Sequence, residues 1–128
     1  MRTMLTYTQA FSGCSVDDVP RAKRFYGETL GLEVTEDEAG FLQVHIGEGD
    51  FVFLYPKPDH EPATYTMLNF VVDDINRAVS ELTEAGVTFE HYEGTTDERG
   101  VMTGQGPDIA WFKDPAGNVV SVLQVVDQ

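Results

Sequence analysis

Cysteine is scarce in this chain, and Cys14 is the only one. A single cysteine excludes an internal disulfide and leaves no second thiol for a metal or redox motif. Long apolar runs are also missing, because no stretch approaches the roughly 18 apolar residues that a membrane-spanning helix needs. The first residues lack the apolar stretch of a signal peptide. We therefore expect a soluble, cytoplasmic protein that has no membrane partner.

Basic residues are few. Eight Lys and Arg stand against 22 Asp and Glu, which gives a formal net charge of −14. Such a charge repels phosphate backbones and anionic membrane surfaces, so we expect no nucleic-acid partner. A cationic ligand would be attracted. Solubility or adaptation to salt explains the same charge, since net charge bears on association and not on the fold.

The length indicates one domain over residues 1–128. A chain of this size buries roughly two thirds of the surface that it exposes when unfolded, so it can form a core unaided. Apolar residues make up 41% of the chain, well above the composition of a disordered segment.

An internal repeat organises the sequence. The stretch from Val16 to Ala22 reads VDDVPRA, and the stretch from Val72 to Ala78 reads VDDINRA. Glycines that could end a helix follow both copies, at Gly31 and Gly86. Two units are too few for a solenoid, which needs at least about three. The repeat therefore predicts two similar modules packed together: module 1 over about 6–56, a linker over 57–64, and module 2 over about 65–126.

Each module is predicted to have the order βαβββ. A strand over 8–16 precedes the first helix, whose start carries Asp17 and Asp18 as capping acids. Asp74 is the predicted cap of the second helix. Module 1 then continues with strands over 32–35, 40–46 and 51–55, and module 2 with strands over 88–91, 109–113 and 119–124. Between the helix and the last hairpin of module 2, residues 93–108 hold four glycines and predict a long mobile loop.

Two motifs carry a resemblance to a known family. They are RAKRFYGETLGLEV, from Arg21 to Val34, and DPAGN, from Asp114 to Asn118. Together with the repeat, they resemble the vicinal oxygen chelate superfamily, which includes glyoxalase I, extradiol dioxygenases and bleomycin-resistance proteins. The resemblance covers nearly the whole chain. It implies an α+β fold in which two tandem βαβββ modules form one open, cleft-bearing mixed sheet. It also implies a homodimer.

Enzymes of that superfamily hold a divalent metal with His, Gln or Glu side chains in the cleft. The matching positions here are Phe11, Phe53, Met67 and Ser121. Phenylalanine has no donor atom, a thioether is a soft ligand, and a serine hydroxyl is a poor one. We therefore expect no metal and no other cofactor, and the sequence favours a protein that is not an enzyme.

Side chains alternate along a strand, so the predicted cleft face can be read from the sequence. The expected ligand-binding residues are Phe11, Gly13, Ser15, Phe51, Phe53, Tyr55, Met67, Asn69, Trp111 and Ser121. A mostly apolar concavity with a few polar groups is typical of a small-molecule site. The alternative is a filled core in which Phe11, Phe53 and Met67 pack on one another.

Three functions remain open. The first, which we favour, is metal-free binding of a small molecule, for example a cationic, drug-like one. The second is a metal-dependent lyase or dioxygenase of the same superfamily with displaced ligands, drawn from His45, His91 and the acids of the 93–108 loop. The third is an accessory or interaction module with a filled cleft.

Overall fold

The computed structural model describes residues 5–104 and 106–125. The predicted end of module 2 at about residue 126 lies outside these ranges, as does residue 105 of the predicted loop. Within them, no helix combines the length and the apolar character needed to span a bilayer.

Across the described residues, eight strands and two α-helices follow the predicted order. Module 1 contains β1 (Ser12–Val16), α1 (Val19–Arg24), β2 (Val34–Glu36), β3 (Leu42–Gly47) and β4 (Asp50–Pro56). Module 2 contains β5 (Thr66–Val71), α2 (Ile75–Glu84), β6 (Val101–Met102), β7 (Asp108–Lys113) and β8 (Val119–Gln124). The prediction of two tandem βαβββ modules in an α+β fold is confirmed, although the strands form two sheets and not the single sheet that was expected. The first strand is shorter than expected, since it begins at Ser12 and not at residue 8.

The strands form two four-stranded mixed sheets of the same topology. Their orders are β1-β4-β3-β2 and β5-β8-β7-β6. The first and last strands of each module pair in parallel, and the other neighbours are antiparallel. Gly13 lies opposite Phe53 in the first sheet, and Asn69 lies opposite Ser121 in the second. The repeat in the sequence is thus a repeat of sheet topology.

One face of each sheet packs against the helix of its own module. Val52 and Leu54 of β4 are buried in the core of module 1, and Val120 and Val122 of β8 in the core of module 2. The two cores touch through partly buried side chains that pack against both of them. These shared residues are Phe25, Leu30, Met67 and Leu68. The opposite faces of the sheets are therefore free to form a site.

Both predicted helix caps are present. The carboxylate of Asp18 accepts a hydrogen bond from the backbone N–H of Arg21, and that of Asp74 from the N–H of Arg77, each at 3.1 Å. A side-chain oxygen at this position satisfies one of the donors that the first turn leaves free. Gly86, the predicted stop of the second helix, has φ +101°.

The capping role gives a direct test. Asp74→Ala should lower the free energy of unfolding by about 1 kcal/mol, because it removes the acceptor for the N–H of Arg77. Urea denaturation measures the change. Asp73→Ala is the matched control, since it removes the same charge one residue earlier, where the side chain is exposed and does not cap the helix. Equal losses in the two variants would contradict the assignment.

The first helix does not end as a regular α-helix. Residues Phe25–Thr29 form a π-helical turn, and the N–H of Leu30 donates to the carbonyl of Phe25 at 2.9 Å. This turn inserts two neighbouring rings toward module 2. The Phe25 ring lies 6.2 Å from that of Phe112, and the Tyr26 hydroxyl donates to Asp114 at 2.7 Å. The wider turn thus accompanies the packing of one module on the other.

The prediction of a strand over 88–91 is wrong. Phe89 makes a single bridge to Phe112, and the N–H of Glu90 donates to the carbonyl of Trp111, after which the chain leaves the sheet. It returns at β6, where Val101 pairs with Ala110. We call residues 91–100 the excursion. Turns within the excursion bond backbone N–H and C=O groups that a continuous edge strand would have paired with β7.

The prediction of one long loop over 93–108 is also wrong, because β6 lies inside it. A tight turn precedes that strand: the Asp97 carboxylate accepts the N–H groups of Arg99 and Val101 at 2.8 and 2.9 Å. The pKa of Asp97 is lowered, mainly because the carboxylate accepts the hydrogen bond from the backbone N–H of Val101. Hydrogen bonds to the carboxylate therefore organise this segment.

Candidate ligand-binding cleft

Alternation along the strands separates a core face from an open face. On β4, Val52 and Leu54 are buried, whereas Phe51, Phe53 and Tyr55 lie on the other face and are only partly buried. The parallel pairing of β1 places Gly13 beside Phe53 and Ser15 beside Tyr55. The open face of module 1 therefore carries the residues that the sequence assigned to a cleft.

Aromatic rings cover much of this open face. The Phe11 ring stacks on that of Phe51 at 4.8 Å between centroids, and it meets Phe53 edge-on at 5.8 Å. Phe53 contacts two more rings, each at 5.8 Å. We call this surface the aromatic shelf, and it consists of Phe11, Phe41, Phe51, Phe53 and Tyr55.

The shelf is open to solvent. Phe11 is 55% exposed, although it contacts two other rings. A residue in a filled core loses nearly all of its exposure, so these rings form a surface and not an interior. His45 lies at the edge of the shelf, 6.2 Å from the Phe51 ring, with its Nε2 2.9 Å from the hydroxyl of Thr35.

The open face of module 2 carries a different group. Asn69, Ser121 and Trp111 are neighbours across β5, β8 and β7, and we call them the amide row. Ser121 is fully buried, and its hydroxyl donates to the Oδ1 of Asn69 at 2.5 Å. The Trp111 ring is partly buried, and the ring of Tyr92 packs edge-on against it at 5.6 Å. The excursion thus borders the amide row.

Met67 occupies a third position, at the junction of the modules. The register of β5 shifts between Thr66 and Leu68, and Met67 packs against both cores. It also lines a cavity of about 560 Å³, which we call the junction cavity. The other lining residues are 12–15, 55, 61–66 and 118. Met67 is therefore not packed between Phe11 and Phe53, as a filled core would require.

Ser15 is engaged by a histidine that the sequence gave no reason to select. His60, in the linker, lies with Nδ1 2.6 Å from the Ser15 hydroxyl and with Nε2 2.9 Å from the carbonyl of Ala116. A carbonyl only accepts, so Nε2 carries a proton and donates it to Ala116. His60 thus links β1 to the DPAGN turn, since it lies 45 residues from Ser15 and 56 residues from Ala116 in sequence.

The four positions that match metal ligands in the superfamily are dispersed. Phe11 and Phe53 belong to the shelf, Met67 to the junction and Ser121 to the amide row. Across residues 5–104 and 106–125, no group of three or more His, Cys, Asp or Glu side chains is placed to hold a metal ion.

The proposed displaced ligands are also engaged separately. His45 lies on β3 of module 1, whereas the Nε2 of His91 lies 2.8 Å from the carbonyl of Glu98 within the excursion. His45 thus contacts Thr35 in module 1, and His91 contacts Glu98 in module 2.

Two titratable groups lie on the core side near the DPAGN turn. Burial, reinforced by the charge of Asp114, raises the pKa of the Cys14 thiol from 9.0 to about 11. The pKa of Tyr26 is also raised, mainly by burial and further by Asp114, to which its hydroxyl donates a hydrogen bond. At neutral pH both groups stay protonated, so neither supplies an anion to the cleft.

Comparison with known proteins identifies the family. The model of the Glyoxalase/Bleomycin resistance protein/Dioxygenase superfamily matches residues 10–122. The chain belongs to this superfamily. A search of curated protein sequences finds no significant match.

Solved structures share this fold. TnmS3, described as an antibiotic binding protein from Streptomyces sp. CB03234, is 26% identical with a TM-score of 0.73, and the match covers 98% of this chain and 100% of that one. A superfamily member from Sphaerobacter thermophilus DSM 20745 is 27% identical with a TM-score of 0.68, over 95% and 99% of the two chains. A virulence protein of Salmonella typhimurium, 24% identical over 96% and 100%, has a TM-score of 0.68.

Proposed function

We propose that this superfamily member is a metal-free binding protein for a small, flat, aromatic molecule, preferably a cationic one. We also propose that it acts as a cytoplasmic homodimer. Binding takes place on the open faces of the two sheets, which carry the aromatic shelf and the amide row.

The observation that carries this proposal is the exposed aromatic shelf. Phe51, Phe53 and Tyr55 lie on one face of β4, and Phe11 and Phe41 directly precede β1 and β3. Phe11 remains half-exposed after packing against two of the other rings. Stacking of a nucleic-acid base, which is also a flat ring, on an aromatic side chain contributes about 1–3 kcal/mol to binding. An open shelf of this kind offers that energy to a ligand.

Charge favours a cation among flat ligands. The net charge of −14 attracts positively charged molecules, and the faces of aromatic rings attract them at short range. The 26% identical TnmS3 is described as an antibiotic binding protein, which supports a role in binding small molecules.

Isothermal titration with two planar probes tests the proposal. Proflavine is a planar cation, and naphthalene-2-sulfonate is a planar anion. We expect the protein to bind proflavine at least 10-fold more tightly than the sulfonate. Phe53→Ala should weaken proflavine binding by about 10-fold, since it removes the ring that contacts three others on the shelf.

Tyr7→Ala is the control, because it removes a large exposed ring that makes no recorded ring contact with the shelf in the described chain. It should leave proflavine affinity within about twofold. Absence of proflavine binding, or equal losses in the two variants, would contradict the proposal. Elemental analysis of protein purified without chelators tests the metal-free part, which a stoichiometric metal ion would overturn.

A further inference from the structure

The amide row contains a hydrogen bond whose direction is fixed by burial. Ser121 is fully buried, and its only recorded partner in the described chain is the Oδ1 of Asn69. A buried hydroxyl proton without an acceptor is destabilising. If the amide were turned round, its NH₂ group would face the serine and leave that proton without an acceptor. Burial of Ser121 therefore keeps the carbonyl oxygen of Asn69 inward.

The same constraint leaves the NH₂ group of Asn69 available. Asn69 itself is exposed, and within residues 5–104 and 106–125 its Nδ2 donates to no other protein atom. The amide thus presents two N–H donors on the open face of module 2. Trp111 pairs with Ser121 across β7 and β8, so its ring lies on the same face of the sheet.

The internal repeat shows that this arrangement belongs to one module only. Gly13 and Phe53 occupy in module 1 the places that Asn69 and Ser121 occupy in module 2. Gly13 has no side chain, and Phe53 has no polar atom. Module 1 therefore offers one ring and no donor at these two places, whereas module 2 offers an oriented donor.

We propose that Asn69 orients the ligand by donating a hydrogen bond to an oxygen acceptor on the ligand's aromatic ring system, a ring carbonyl or phenol oxygen. Ser121 is the positioning residue that holds the amide in this orientation. The inference rests on the proposed binding function and narrows its ligand class to planar molecules that carry such an oxygen.

Acridone and 9,10-dihydroacridine test the inference, because they share a tricyclic skeleton and only acridone has the ring carbonyl. Fluorescence titration should show acridone binding about 10-fold more tightly. Asn69→Asp keeps the size and the oxygen facing Ser121 but replaces the donor with a carboxylate. It should remove the preference for acridone and leave dihydroacridine affinity within about threefold.

Asn76→Asp is the matched control, since it makes the same amide-to-carboxylate change on the exposed surface of the second helix, away from the open faces, and should keep the preference. Ser121→Ala should lower it, because the amide can then turn. Equal binding of the two probes, with both weakened by Phe53→Ala, would overturn the role of Asn69 and leave the binding function standing. Failure of both probes and of proflavine to bind would overturn both proposals.

Discussion

Asp114→Ala should lower the free energy of unfolding by about 4 kcal/mol, because it leaves several buried donors without an acceptor. The Asp114 carboxylate accepts the N–H groups of Ala116 and Asn118 at 2.9 and 2.8 Å, and the hydroxyl of Tyr26 at 2.7 Å. Each hydrogen bond to a charged group contributes about 1.5–3 kcal/mol, and bonds that share one acceptor are not additive.

The loss extends beyond the DPAGN turn. Asn118, which this carboxylate holds, donates to the carbonyl of Ser15 at 3.0 Å and accepts the N–H of Ala63 at the same distance. Tyr26 reaches Asp114 from the other module, 88 residues away in sequence. One carboxylate thus links β1, the first helix and the linker to the last hairpin.

Chemical denaturation of Asp114→Ala and Asp37→Ala separates this role from that of an ordinary turn. Asp37 accepts the N–H groups of Ala39 and Phe41, each at 2.9 Å, so its local turn is the same. It makes no recorded bond to the other module in the described chain. We expect a loss of about 1 kcal/mol for Asp37→Ala. Equal losses in the two variants would contradict a role for Asp114 at the junction.

Local signals in the sequence predicted local structure. Asp18 and Asp74 cap their helices because the acceptor and the donor are three residues apart, within reach of any helix start. The strand predicted over 119–124 matches β8, since alternation and the preceding turn both mark it. The repeat also predicted that the two modules share one topology, because it marks a strand and a capped helix at the start of each module.

Contacts between distant segments were beyond such signals. The bond between Ser121 and Asn69 joins residues 52 apart, and it depends on the pairing register of β5 with β8. Met67 lies beside a register shift in β5 and lines the junction cavity together with Gly13 and Tyr55 of module 1, a contact that alternation along one strand cannot predict. His60 binds Ser15 and Ala116 only because the linker crosses between the modules.

The interrupted edge strand shows the same limit. The alternation over 88–91 is compatible with a strand, and Phe89 and Glu90 do reach β7. Whether the pairing continues depends on the turns that follow, which satisfy their backbone groups within the excursion. A local pattern cannot decide between these two sets of partners, because both satisfy the same donors and acceptors.

Gly100→Ala should destabilise the protein by about 3 kcal/mol, because Gly100 closes the excursion against the sheet. Its φ is +94°, where a side chain costs about 1–2 kcal/mol. A Cβ atom would also lie 2.8 Å from the carbonyl oxygen of Glu90 and 3.0 Å from the Cβ of Phe89. Backbone at this distance must move, which would disturb the bond from Glu90 to Trp111 and the bridge from Phe89 to Phe112.

Gly94→Ala is the matched control within the same excursion. Gly94 has φ +77°, and a Cβ atom there would meet nothing within 4 Å. Only the backbone strain applies, so we expect a loss of about 1 kcal/mol. Urea denaturation followed by Trp111 fluorescence measures both variants, and the difference of about 2 kcal/mol is the contribution of the close approach. Equal losses would mean that the excursion can move away from Glu90 without cost, which is incompatible with a segment closed against the sheet at Gly100.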